Sequence, residues 1–72
     1  MLFRSVEEFD KYLEEEYGYG LQNGYEDAQK FLAGKEFEVD FESSDELVII
    51  LEDGSSYYMC ERYDGCCFVR ID

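Results

Sequence analysis

The chain has 72 residues, of which 19 are Asp or Glu and 6 are Lys or Arg, giving a formal net charge of −13 at pH 7. That sign excludes direct binding to nucleic-acid phosphates and to anionic membrane surfaces, which both demand Lys and Arg. The length allows a single domain, residues 1–72, with one small core; hydrophobic residues at 46%, with seven Tyr and six Phe, exclude a disordered acidic tail.

Taken in chain order, the pattern predicts two helices followed by a strand meander. Ser5 is an N-cap, Glu8 completes a capping box three residues later, and the first helix runs to Tyr17. Val6, Phe9 and Leu13 make its apolar stripe, widened by Tyr12 and Tyr17. Glu7, Glu8, Lys11, Glu14 and Glu15 fill the opposite face, and Gly18 terminates the helix. Glu14, Glu15 and Glu16 crowd the end where the macrodipole is already negative, a cost without a structural return. Tyr17-Gly18-Tyr19-Gly20 reads as a loop whose tyrosines pack on the core edge or anchor an interface. The second helix is expected over 23–33, with Asn23 as cap, Glu26 at N3 and Gly34 beyond the end.

From Glu36 onward the period is two. Residues 36–42 alternate acidic and apolar, and 47–52 are apolar on both faces, as in a central strand. Asp53-Gly54 and Asp64-Gly65 signal hairpins joining strands over 56–62 and 66–71. The expected fold is therefore α+β, with two N-terminal helices on one face of a four-stranded antiparallel β-meander. Two-residue turns would pair Glu52 with Ser55, Ile49 with Tyr58, Cys60 with Val69 and Tyr58 with Ile71. The core face would then hold Leu47, Ile49, Leu51, Tyr58, Cys60, Cys67, Val69 and Ile71, joined by Phe37, Val39 and Phe41 if Phe41 pairs with Leu47. The outer face would carry Glu36, Glu38, Asp40 and Glu42 beside Val48, Ile50, Tyr57, Met59 and Phe68. A slip of one residue at either turn would exchange the faces.

Three cysteines, two of them adjacent, make no disulfide framework and point to a reducing compartment. The N-terminus lacks the apolar run of a secretion signal, and the longest aliphatic run, Leu47 to Leu51, is far too short to span a membrane. The expected location is the cytoplasm.

No His is present, which removes His-based acid–base catalysis and every Ser–His or Cys–His pair. A domain this small rarely provides the concave site that two carboxylates need to act as acid and base, so no catalytic residues are assigned. Asp40, Glu42, Asp45 and Glu46 are close in sequence but lack the central Gly and closing Glu of an EF-hand loop. They read as a polar hairpin loop beside a solvated strand. Cys60, Cys66 and Cys67 lack a fourth zinc ligand, and adjacent strand residues face opposite ways. The expectation is that Cys60 and Cys67 are core and Cys66 faces out, with no metal or other cofactor.

What remains is electrostatic. Alternate carboxylates on a strand lie roughly 6.6–6.8 Å apart, close to the roughly 6–7 Å between phosphates of one nucleic-acid strand. The first helix adds a second row. The candidate partner-binding residues are Glu7, Glu8, Glu14, Glu15, Glu16, Glu36, Glu38, Asp40, Glu42, Asp45 and Glu46. In length, charge, lack of His and Trp, and strand carboxylates such as Glu36, Glu38, Asp40 and Glu42, the chain resembles small acidic DNA-mimic inhibitors of the phage anti-CRISPR and anti-restriction type. The resemblance implies a protein without enzymatic activity that occupies a basic nucleic-acid-binding channel on an effector complex. An antitoxin or immunity protein capping a basic toxin nuclease has the same electrostatics. A phage or host structural protein, or a homodimer using the apolar outer face, is the alternative of a different class.

Overall fold

A computed structural model describes residues 1–42, 47–62 and 65–71, the side chains of 61 and 62 excepted. Helix α1, Val6–Tyr17, begins at Ser5, whose Oγ accepts the Glu8 N–H at 3.2 Å. The return half of the box is displaced by one residue, because the Glu8 carboxylate accepts from the Arg4 N–H at 2.9 Å. Gly18, at φ 81°, takes the left-handed conformation that a side chain would resist, and its N–H closes the helix on the Glu14 carbonyl.

Helix α2 is shorter than expected, Glu26–Leu32, with Tyr25 at the N-cap position and no side-chain cap bond. Asn23 is not the cap. Gly24 has φ 108°, which breaks helical geometry between Asn23 and Tyr25, so the preceding segment closes as turns through Asn23 N–H to Gly20 O and Tyr25 N–H to Leu21 O.

The four-stranded meander is corrected to a sheet of five antiparallel strands among the described residues, in the order β1-β2-β3-β4-β5. The additional strand is β1, Leu2–Phe3, paired with β2, Phe37–Asp40, through Leu2↔Glu38 and Phe3↔Phe37. Met1 and Val39 exchange backbone bonds of 2.9 and 2.8 Å that extend this pairing. Two residues are too few for an alternation signal, so the strand is invisible to periodicity. β2 pairs with β3, Leu47–Leu51, as Val39↔Ile49 and Phe37↔Leu51, which is the register that continues to Phe41 opposite Leu47.

Beyond β3 the expected register fails. β4, Ser56–Arg62, pairs as Ile49↔Tyr57 and Leu47↔Met59, one residue away from expectation. The connection is a three-residue loop, Glu52-Asp53-Gly54. Gly54 N–H bonds Leu51 O, Leu51 N–H bonds Ser55 O, and Gly54 sits at φ 88°, a turn followed by a G1 bulge. β5, Gly65–Arg70, pairs as Tyr58↔Val69 and Arg62↔Gly65, two residues from expectation; the intervening residues 63 and 64 lie outside those described. A shift of two preserves the face, so the single-residue offset at Gly54 inverts β4 and β5 together.

The helices cover one face of the sheet. There Phe3, Val6, Phe9, Leu13, Leu21, Tyr25, Ala28, Leu32, Phe37, Val39, Ile49 and Met59 form the core, with Phe41, Leu47, Leu51 and Phe68 packed against it. Tyr57, Met59 and Phe68 are thus on the helix side, where Phe31 meets Tyr57 at 4.9 Å and Phe68 at 5.6 Å. Tyr58, Cys60, Cys67, Val69 and Ile71 are turned away from it. The cysteine assignment is corrected accordingly. Cys66 faces the helices and its Sγ donates to Asn23 O at 3.6 Å, whereas Cys60 and Cys67 pair on the outer face, Cys60 being buried there.

Phe3 is the hub of the aromatic core. Its ring lies 5.0 Å from Phe9, 5.5 Å from Tyr12, 6.0 Å from Phe37 and 6.2 Å from Phe41. Phe3→Ala should therefore cost about 3–5 kcal/mol, most of the stability of a domain near the lower end of the usual range. Urea unfolding monitored by far-UV circular dichroism measures this, and a loss below about 1 kcal/mol would show that β1 is not docked.

Candidate functional site

The acidic residues divide into those the fold uses and those it leaves in solvent. Asp10 belongs to the first group. It stands four residues after Val6 and three before Leu13, on the flank of the apolar stripe, and its Oδ1 accepts the Leu21 N–H at 2.6 Å. Gly20 is buried beneath this contact, and a Cβ there would collide with Asp10 Oδ1. Asp10 therefore ties α1 to the loop leading to α2. The sequence reading did not single it out, although its position on the stripe was a usable signal.

Asp53 has a comparable role in the β3–β4 turn. Its Oδ1 accepts from the Ser55 hydroxyl at 2.6 Å and from the Ser55 N–H at 2.9 Å. Ser55 is buried, and its two donors hold the Asp53 carboxyl below the usual 3.8, the hydroxyl bond contributing most.

Apart from Glu26 and Asp27, which are exposed on the first turn of α2, and Glu52 in the β3–β4 turn, the described carboxylates left in solvent form two surfaces on opposite sides of the molecule. On the helix side, Glu7, Glu8, Glu14, Glu15 and Glu16 are all exposed along α1. Glu7 and Glu14, like Glu8 and Glu15, are seven residues apart, about 10.5 Å along the axis, with Lys11 between them. No basic residue occupies the last turn of α1. Tyr17 and Tyr19 stand exposed beside this negative end, 49% and 38% accessible, with ring centroids 6.5 Å apart. Partial burial, followed by the Glu16 carboxylate and Tyr17, raises the phenol of Tyr12 above its ordinary value.

On the outer side, the alternating row is shorter than residues 36–42 suggested. Glu38 and Asp40 lie within β2, opposite Ile50 and Val48. Glu42 leaves the row because its N–H bonds Asp40 Oδ1 at 2.9 Å, turning the chain, while Glu36 precedes the strand; both are exposed. The N-terminal ammonium sits 3.9 Å from Glu38 and offsets part of its charge. Asp45 and Glu46 lie outside the described residues. Glu36 also borders a shallow depression with Gly34, Lys35, Leu51, Glu52 and Asp53. Among the described residues, no three Cys, Asp or Glu side chains come together as a metal site, and no helix is long and apolar enough to cross a membrane.

Comparison with known protein families, curated proteins and solved structures finds no match to this chain.

The Asp53 contact has a defined pH signature. A carboxyl depressed in the folded state contributes stability above its unfolded pKa and loses it as pH falls through the folded value. Asp53→Asn should therefore be less stable than the parent near neutral pH, with the difference shrinking well below pH 3.8. Urea midpoints measured at both pH values check this; a difference independent of pH would rule out the charge-assisted turn.

Proposed function

We propose that the protein is a non-catalytic binding inhibitor, acting in the bacterial cytoplasm, that presents the acidic face of α1 to a basic nucleic-acid-binding site on a CRISPR effector or nuclease. The observation that carries this reading is the composition of one exposed face. Glu7, Glu8, Glu14, Glu15 and Glu16 lie on α1 without a basic residue in its last turn, and Tyr17 and Tyr19 are exposed at its end. Placing three carboxylates at the negative end of a helix weakens the fold, and a basic partner would recover that cost on binding. Exposed aromatics beside the charge supply the apolar contact that fixes register in an interface. Electrostatic steering would speed the encounter, and the affinity would fall as salt rises.

The outer row takes a smaller part in this reading. Glu38 and Asp40 have the phosphate-like spacing of a strand, but they are only two and one has the terminal ammonium beside it. They also face away from α1, so a single groove cannot engage both surfaces.

Competition electrophoresis of candidate effectors with their nucleic acid tests the assignment. The triple variant Glu7→Gln, Glu14→Gln, Glu15→Gln should weaken inhibition roughly ten- to a hundredfold, from about 0.5–1 kcal/mol for each charge contact. The double variant Glu38→Gln, Asp40→Asn should change it little. Full inhibition by the triple variant would overturn the role of α1, as would loss confined to the double variant.

A further inference from the structure

The negative charge is unevenly distributed over the fold. Residues 54–60 and 65–71 contain no Asp or Glu, so most of β4 and the whole of β5 are free of carboxylates in a chain of net charge −13. β5 is also an edge of the sheet. It is six residues long, has no Pro, and carries one charged residue, Arg70, at its end, so charged side chains and Pro, which commonly blunt such edges, are nearly absent.

The direction of its backbone groups follows from one bond. Ile71 N–H donates to Ser56 O at 2.8 Å, continuing the Tyr57↔Arg70 pairing by one step. In an antiparallel ladder, hydrogen-bonded pairs alternate, so Val69, Cys67 and Gly65 turn toward β4. Cys66 and Phe68 aim their N–H and C=O groups away from it. Such an edge is met by another strand, and a strand bearing carboxylates would repel the rest of this chain.

We infer that β5 pairs antiparallel with the β5 of a second copy, forming a ten-stranded sheet about a two-fold axis at Phe68. This register overlaps residues 65–71 completely. The two Phe68 residues exchange backbone bonds across the axis, and Cys67 of each copy stands beside Val69 of the other on the outer face. The exposed apolar residues Ile50, Val69 and Ile71, at 37%, 42% and 48% accessibility, then form one surface across the join. The acidic α1 helices, packed through Phe3 and Tyr12 over the β1–β2 side, lie far from the axis, and the nearer α2, packed on β4 and β5 through Phe31, carries Lys30 as well as Glu26 and Asp27. Edge pairing buries less than the roughly 1,200–2,000 Å² of a standard stable interface, so the dimer forms at micromolar concentrations or above.

This inference is independent of the proposed inhibitor role, and the two respond to salt with opposite sign. Salt screens repulsion between two acidic copies, whereas it weakens attraction to a basic partner. Sedimentation equilibrium should show the mass rising from 8.5 kDa toward twice that value with concentration, and at lower concentration when salt is added. A semisynthetic chain with N-methyl Phe68, which loses only the outward donor, should remain at 8.5 kDa with unchanged circular dichroism. Val69→Glu should shift dimerisation to higher concentration. A parent chain that stays monomeric at millimolar concentration in high salt overturns the inference, as does an N-methyl chain that dimerises equally well.

Discussion

Much of this molecule depends on how the chain turns between β3 and β4. Asp53 gathers the hydroxyl and amide of Ser55 onto one carboxylate oxygen, and Gly54 occupies the left-handed region that completes the bulge. Leu51 then lies opposite Ser55 across a three-residue loop, where a two-residue turn would set Glu52 opposite Ser55. Because side chains alternate along a strand, that extra residue decides which face every residue of β4 presents. It sends Met59 into the core at 3% accessibility and turns Tyr58 outward beside Val48. β5 inherits the choice through its pairing with β4, so Phe68 joins Phe31 and Tyr57 while Val69 and Ile71 remain exposed.

This geometry gives the charge its distribution. The acids of α1 face away from the sheet on one side, and Glu38 and Asp40 face away from it on the other, with the core between them. The turn retains Glu52 and Asp53, whereas the strands that follow it have no carboxylate until Glu61. The chain thus has an acidic half built on α1, β1 and β2, and a nearly neutral half built on β4 and β5. Self-repulsion limits what a domain of this size can tolerate, and segregation leaves one edge that can approach a second copy. The acidic half suits a basic partner, while the neutral edge suits the chain itself.

How much of this was legible in the sequence varies with the range of the signal. α1 was written locally: Ser5, the Val6–Phe9–Leu13 stripe and Gly18 each act within a turn or two, and they place the helix correctly. The buried face of β2 was also readable, because strict alternation at Phe37, Val39 and Phe41 leaves only one face to bury, whereas its register against β3, apolar on both faces, stayed conditional on Phe41 lying opposite Leu47. β1 was hidden by its length, since two residues carry no period, and its docking is a long-range choice made by the Phe3 ring. The start of α2 was misplaced because Asn23 imitates a cap, while Gly24 breaks the helix just after it. The β4 and β5 faces could not be decided locally. Tyr57 beside Tyr58, Met59 beside Cys60 and Phe68 beside Val69 are apolar on either face, and Asp-Gly fits a two-residue or a three-residue loop equally well. For the candidate interface, exposure of the carboxylates was implicit in the composition. Their division between opposite sides was not, nor was the diversion of Asp10 and Asp53 into structural hydrogen bonds.

The register at Gly54 is therefore the point on which the account stands, and nuclear Overhauser contacts between α-protons of β3 and β4 test it directly. In an antiparallel pair these protons approach closely only at non-hydrogen-bonded positions. With Leu51 bonded to Ser55, those positions are Ile50 opposite Ser56 and Val48 opposite Tyr58. Strong contacts at these two pairs are the result this structure predicts. A contact between the α-protons of Ile49 and Tyr58 would instead establish the two-residue turn. It would return Tyr58 and Val69 to the core face and contradict the division of charge and apolar surface described above.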